Sequence, residues 1–180
     1  MTNVYVTGFG KFPGMLNNPT TPLAQNLAND PNVKSSKVLE TSAEGSREMV
    51  SPFRTEAENS GRQTVFLHMG VEPGAQTYAV EQTAYNLADF TIPDERGWSP
   101  RRQPIEQGGP QQINSDLQVR QVIGGTQPES ARAQPSTDPG RYVCNYIYYQ
   151  SLRWAAQVEA QGKTKVRSCV ITLLEINTSH

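Results

Sequence analysis

The chain has only two histidines, His68 and His180, and only two cysteines, Cys144 and Cys169. Two cysteines make no disulfide framework, and neither a C-x-x-C nor an H-E-x-x-H spacing occurs, so no metal or other cofactor is expected. Charge of one sign is also lacking: sixteen Lys and Arg stand against seventeen Asp and Glu, a net charge of -1. No field is left to hold a polyanion or an anionic lipid surface, which argues against nucleic-acid and membrane partners. No run approaches the ~18 apolar residues of a membrane span, and the opening Met1-Thr-Asn-Val-Tyr-Val6 lacks the basic stretch and apolar core of a secretory signal. The expectation is a cytosolic protein whose reducing surroundings keep both thiols free. Phosphate loops are missing as well, because Gly8-Phe-Gly10 and Gly70 to Gly74 fit neither the dinucleotide nor the P-loop glycine pattern.

What remains reads as one globular unit. The 180 residues carry 36% hydrophobic side chains, enough for one core but not two, so a single domain over residues 1–180 is expected. Val4 to Thr7 reads as a first strand entering a glycine turn, and the spacing of Leu23, Ala24, Leu27 and Ala28 predicts a helix starting near Thr21-Pro22. Val38 to Thr41 reads as a second strand. Ser42 to Arg62 follows as a polar, loosely ended helix reaching Gly61, the poorest core material in the chain. Thr64-Val-Phe-Leu-His-Met69 has the nearly unbroken apolar character of a strand buried on both faces and belongs at the centre of a sheet.

The Pro- and Gly-rich stretch from Ile92 to Gln112 predicts a long surface loop of the kind that serves a site. Asn114 to Ile123 reads as a short helix, and Val143, Ile147, Leu152, Ala155 and Val158 trace a helical stripe from about Tyr142 to Ala160. Alternating strands and helices give an α/β fold, a three-layer α/β/α sandwich with a mixed, mainly parallel sheet.

Cys144 stands just after Pro139-Gly140 at the front of the last helix, where unpaired backbone N–H groups and the helix dipole favour an anion and Arg141 adds positive charge. Such a thiol is expected to titrate low and to be available as a nucleophile. A buried structural cysteine on an apolar helix face fits the position equally well. A cysteine hydrolase also needs a base held by a third group. His68 lies inside the central strand pattern, where a hydrogen-bonded core histidine is the better reading, and His180 is the last residue. Glu81 follows the turn after the central strand, where α/β folds present functional groups, although a lone acid there also suits a solvated helix start. Tyr142, Tyr146, Tyr148, Tyr149 and Trp154 cluster at helical spacing and read as core and boundary packing.

Four blocks then resemble pyroglutamyl peptidase I, also called pyrrolidone-carboxylate peptidase, a family of cysteine peptidases. They are Val6-Thr-Gly-Phe-Gly-Lys-Phe12 with Asn18-Pro19, Leu67-His-Met-Gly70, Glu81-Gln-Thr-Ala-Tyr-Asn86, and Asp138-Pro-Gly-Arg-Tyr-Val-Cys-Asn145. Ile92 to Ile105 and Asn145 to Arg153 look like the plant branch of that family. The resemblance implies an omega peptidase removing N-terminal pyroglutamate, with Cys144 as nucleophile and Glu81 orienting a catalytic histidine. It implies a lactam slot walled by Phe9 and Phe12 and closed by Ile92, Tyr142 and Val143, with backbone groups at Gly70 and Val71 reading the ring amide. The partners implied are pyroglutamyl peptides; self-association stays open.

The family's histidine motif, F-V-H-V-P or F-I-H-V-P on a strand after the nucleophile helix, has no counterpart here. Cys169 to Ile176, after Lys163 to Ser168, aligns in two ways: either Thr172 replaces the histidine on a preserved strand, or that strand is deleted and Val170 to Ile176 begins the terminal helix. The second is the reading adopted from sequence, giving a fold truncated in its C-terminal part and a catalytically impaired or binding-only relative as the alternative function. Thr91, where many members have arginine, and Pro139, where alanine is usual, depart from the family too.

Overall fold

The computed structural model describes residues 2–75, 77–120, 123 and 133–174. Strands β1 (Asn3–Phe9), β2 (Ser35–Leu39), β3 (Thr64–Glu72), β4 (Tyr78–Glu81), β7 (Ala133–Ser136) and β8 (Val166–Leu174) form a six-stranded sheet in the order β2-β1-β3-β8-β4-β7. All pairings are parallel except β4 with β8, so the sheet is mixed and mainly parallel. β5 (Thr83–Tyr85) and β6 (Gln112–Asn114) pair separately as a small antiparallel ribbon. Helix α1 (Thr20–Leu27) packs on one face, and α2 (Ala43–Ser60) and α3 (Val143–Ala160) pack on the other. The expected three layers are present.

The period-two alternation of the strands divides the core. Tyr5 and Phe9 of β1 and Phe66 of β3 meet Phe53 and Trp154 on the α2–α3 side, whereas Val6, Leu67 and Met69 meet Ala24 on the α1 side. Gly8 faces α1 so closely that a Cβ there would strike the Thr20 carbonyl oxygen and approach Ala24 Cβ to 3.0 Å. Gly8→Ala is therefore expected to cost about 3 kcal/mol, the upper end for overpacking, because the obstacle is backbone. Urea unfolding measures it.

Several boundaries differ from expectation. The second strand lies earlier, at Ser35–Leu39, and α2 is firmly closed where loose ends were expected. Ser42 Oγ accepts from the Gly45 N–H at 2.9 Å, Asp94 Oδ2 accepts from the Ala43 N–H at 3.0 Å, and Gly61 ends the helix at φ 60. Its polar composition still yields a stripe of Val50, Phe53 and Ala57 for the core. Gln112–Asn114 is a strand, so the short helix expected from Asn114 begins later, at Val119.

The largest difference concerns the C-terminal segment. Val166–Leu174 is a nine-residue strand between β3 and β4, paired with Thr64–Glu72 along its whole length. The deletion reading, with a helix from Val170, is overturned within the described residues, and the unpaired sheet edge it implied does not arise; Glu175 and Ile176 lie outside them. Val170 is wholly buried, Ile171 is half-buried, and β-branched side chains suit a strand buried on both faces better than a helix start.

Candidate active site

Cys144 is the second residue of α3, whose first turn carries no side-chain cap. Its sulfur stands over the carboxyl-end half of β3: a Cβ on Gly70 would lie 2.7 Å from Cys144 Sγ. The glycine is required by that approach. The backbone N–H of Val71, next along the strand, faces the sulfur as a hydrogen-bond donor.

The expectation of an acidic thiol is not met. Burial pushes Cys144 up to about 12; the Val71 N–H opposes this, and the negative charge of Glu81 adds to it. Desolvation of the anion thus outweighs the helix terminus. Arg141 does not help, because its guanidinium pairs with Asp138 and lies 3.9 Å from the Tyr85 ring centroid. Alkylation of Cys144 by iodoacetamide is expected to accelerate about tenfold per pH unit between about pH 7 and 10, since the thiolate fraction grows in that proportion below the pKa. Site-resolved mass spectrometry checks it; a rate that plateaus below about pH 8 contradicts it.

Glu81 ends β4 and is 2% exposed, so it is neither solvated nor at a helix start. Its Oε1 accepts from Thr172 Oγ1 at 3.2 Å, while Oε2 is buried with no hydrogen bond among the described residues. Burial raises its pKa above the ordinary carboxylate value, with the Ser136 and Thr172 hydroxyls pulling it back. Tyr148 of α3 donates to the Glu81 backbone carbonyl at 2.8 Å and fixes the strand end beneath the helix. Sequence reading missed Ser136 and Tyr148 and weighed Thr172 only in the alignment it set aside. For Thr172, the signal was the register of one strand.

His68 is not beside the thiol. It is wholly buried on β3, with Nδ1 2.7 Å from Thr7 Oγ1 and Nε2 3.0 Å from Ser151 Oγ, and Ser151 also accepts from Arg54 at 3.2 Å. This is the hydrogen-bonded core histidine expected from its strand position. Burial, reinforced by the Arg54 charge, holds it down at about 3. A neutral His68 therefore adds stability that is present above about 6.5 and lost as pH falls toward about 3. Melting temperatures across that window are expected to fall, and to fall less steeply in His68→Asn. His180 lies outside the described residues.

The aromatic candidates divide. Phe12 meets Tyr142 at 5.7 Å between ring centroids, and Tyr142 meets Phe90 at 4.7 Å. Phe9 and Val143 are buried in the adjoining core cluster, where they back the site without facing solvent, and Ile92 is half-buried on the loop after Phe90. That long loop is tied down. Asp94 caps α2; Arg96 reaches Glu40, Glu44 and Glu48, and Glu106 takes two hydrogen bonds from Arg153 at 2.6 and 2.7 Å.

Two asparagines in the quoted motifs prove structural. Asn145, beside the cysteine, exchanges hydrogen bonds with Tyr85 at 2.8 and 2.9 Å and reaches the Leu87 carbonyl; Asn86 does the same for Glu106 at 2.8 Å in both directions. Among the described residues no three His, Cys, Asp or Glu side chains converge to hold a metal ion. The arrangement offers a half-buried thiol, a buried carboxyl and a hydroxyl that donates to that carboxyl, beside an aromatic wall.

The same fold occurs in known proteins. The pyroglutamyl peptidase family profile matches residues 2–175. The pyrrolidone-carboxylate peptidase of Pyrococcus furiosus is 30% identical over 157 residues, covering 85% of this chain and 73% of the relative. That of Gloeobacter violaceus is 30% identical over 146 residues, covering 81% and 71%. A mutant pyrrolidone carboxyl peptidase from P. furiosus, solved as a structure, aligns with a TM-score of 0.83 at 27% identity, over 97% of this chain and 81% of that one. A profile that spans nearly the whole chain, and a relative at 30% identity over most of it, place this chain in the pyroglutamyl peptidase family.

Proposed function

We propose that this chain is a cysteine-type omega peptidase acting on N-terminal pyroglutamyl peptides, with Cys144 as nucleophile and a slow turnover. One observation carries the reading: Cys144 Sγ is seated over Gly70 and the Val71 N–H, at the start of a helix and within the field of the buried Glu81 carboxyl, to which Thr172 donates. A lactam is small, flat and uncharged, and Phe12 with Tyr142 supplies an aromatic wall for it while backbone groups at Gly70 and Val71 are near enough to read its amide. The relatives' names supply the substrate class. A reducing cytosol suits the two free thiols.

Slowness follows from the same geometry. The place that faces Glu81 holds the Thr172 hydroxyl, the one described histidine is tied to Thr7 and Ser151, and the thiol is pushed up. Lack of an imidazole acid-base costs about 10²–10⁴ in rate. The test is hydrolysis of a pyroglutamyl aminocoumarin amide at high enzyme concentration, with release of coumarin expected to vanish in Cys144→Ala. Turnover that survives in that variant rejects the thiol as nucleophile. The second reading, a relative that binds pyroglutamyl N-termini without cleaving them, is favoured by Thr172 and predicts binding and alkylation with no coumarin released.

A further inference from the structure

Thr172 stands opposite Gly70 in the β3–β8 ladder, and residues paired across neighbouring strands, about 4.8 Å apart, send their side chains to the same face. Cys144 Sγ occupies the space that a side chain on Gly70 would take, so the sulfur and the Thr172 side chain share one face of the sheet at neighbouring strand positions, with no hydrogen bond joining them in the resting structure. On its other side Thr172 Oγ1 donates to Glu81 Oε1 at 3.2 Å, and Glu81 Oε2 has no hydrogen bond among the described residues. A hydroxyl both donates and accepts, and its hydrogen rotates freely. Sulfur, hydroxyl and carboxyl thus lie in sequence across three elements, α3, β8 and β4.

We propose that Thr172 is the proton relay of this site, carrying the Cys144 proton to Glu81 and returning it to the leaving amine. The inference rests on the hydrolase reading above. In the first step the thiol proton moves to Thr172 Oγ1 while the threonine proton moves to Glu81 Oε1. Threonine stays neutral, Glu81 becomes a carboxylic acid, and the sulfur electron pair forms the bond to the scissile carbonyl carbon. Collapse of the adduct breaks the C–N bond, and the proton returns from Glu81 through Thr172 to the amine. Water then adds to the thioester, losing its proton by the same route; the C–S bond breaks, and the thiolate takes that proton back. One amide bond and one water are consumed. Glu81 here moves the proton itself and does not orient an imidazole.

The relay requires an ionised Glu81, so turnover rises with pH as that group ionises. The titratable groups whose charge acts on it are Glu72 of β3, Asp138 after β7, Cys144 and Tyr148 of α3 and, from the opposite face of the sheet, Cys169 of β8; the Thr172 hydroxyl is in contact and the Ser136 hydroxyl is nearby. Burial and the neighbouring acids move this limb above the ordinary carboxylate range.

The test compares the full chain with Thr172→Val, which keeps the side-chain shape, and Thr172→Ser, which keeps the hydroxyl. Turnover of the pyroglutamyl aminocoumarin amide is followed against pH, and binding of pyroglutamyl-alanine to each Cys144→Ala counterpart is followed by calorimetry. The expected result is a loss of about 10² in kcat for Thr172→Val with KM unchanged, most of it restored in Thr172→Ser, and loss of the Glu81 limb in the valine variant alone. Equal kcat in all three proteins overturns the relay, as does a chain that binds the dipeptide but releases no coumarin. Absence of dipeptide binding in every protein rejects the pyroglutamyl reading itself, and the relay with it.

Discussion

Replacing Thr172 with histidine is expected to raise turnover of a pyroglutamyl amide by about 10²–10⁴-fold. The residue sits next to Gly70, above which the sulfur rests, and its side chain already reaches Glu81. An imidazole there would have the carboxylate on one side to fix its tautomer and the thiol on the other, the arrangement that a cysteine hydrolase needs. It would also lower the thiol pKa by ion pairing, so the steep pH dependence of Cys144 alkylation should flatten toward neutrality. Two controls isolate the cause. Adding Glu81→Gln to Thr172→His should remove most of the gain, and adding Cys144→Ala should remove all of it. A Thr172→His protein that folds, binds the dipeptide and is no faster than the original shows that this strand position does not face the thiol.

Gly70→Ala has the second-largest expected effect, a loss of about 10² in turnover and in the rate of Cys144 alkylation. The added methyl would lie 2.7 Å from the sulfur and 3.5 Å from Cys144 Cβ. Cysteine has a single side-chain torsion, and α3 restricts the staggered positions open to it, so the sulfur must leave the Val71 N–H or the helix must shift. Displacement of about 1 Å at a reacting atom is enough to cost that much. Gly70→Ala differs from Gly8→Ala in what it reports: the first meets the movable end of a side chain and is read in reactivity, while the second meets the backbone of α1 and is read in stability. Alkylation at the original rate in a folded Gly70→Ala protein would remove the close approach from the account.

Much of the architecture was legible because it depends on local pattern. The apolar run at Thr64–Met69 marked β3, and the stripe from Val143 to Val158 marked α3 with its boundary at Tyr142. The Pro- and Gly-rich stretch marked the loop that folds over α2. Two readings failed for want of long-range information. The helix position of the thiol points to an acidic group, but its desolvation comes with close packing over Gly70 of β3, which no local pattern records. Val170 to Ile176 reads from sequence as a helix start because a short apolar run has no period of its own. Only pairing with β3 on one side and β4 on the other makes it a strand.

By itself the sequence determined which chemistry is available to this protein: a thiol at a helix start, a glutamate after the central strand, two histidines in all, and a charge balance that attracts no polyanion. Residue type and helix position are properties of the chain and need no fold to be read. Tertiary structure alone decided which of these groups meet. Sheet register sets Thr172 beside Gly70 and against Glu81, and it sends His68 to Thr7 and Ser151. The physical reason is that a register shift of one residue turns every side chain of a strand to the opposite face, and register is settled by partners far away in the chain.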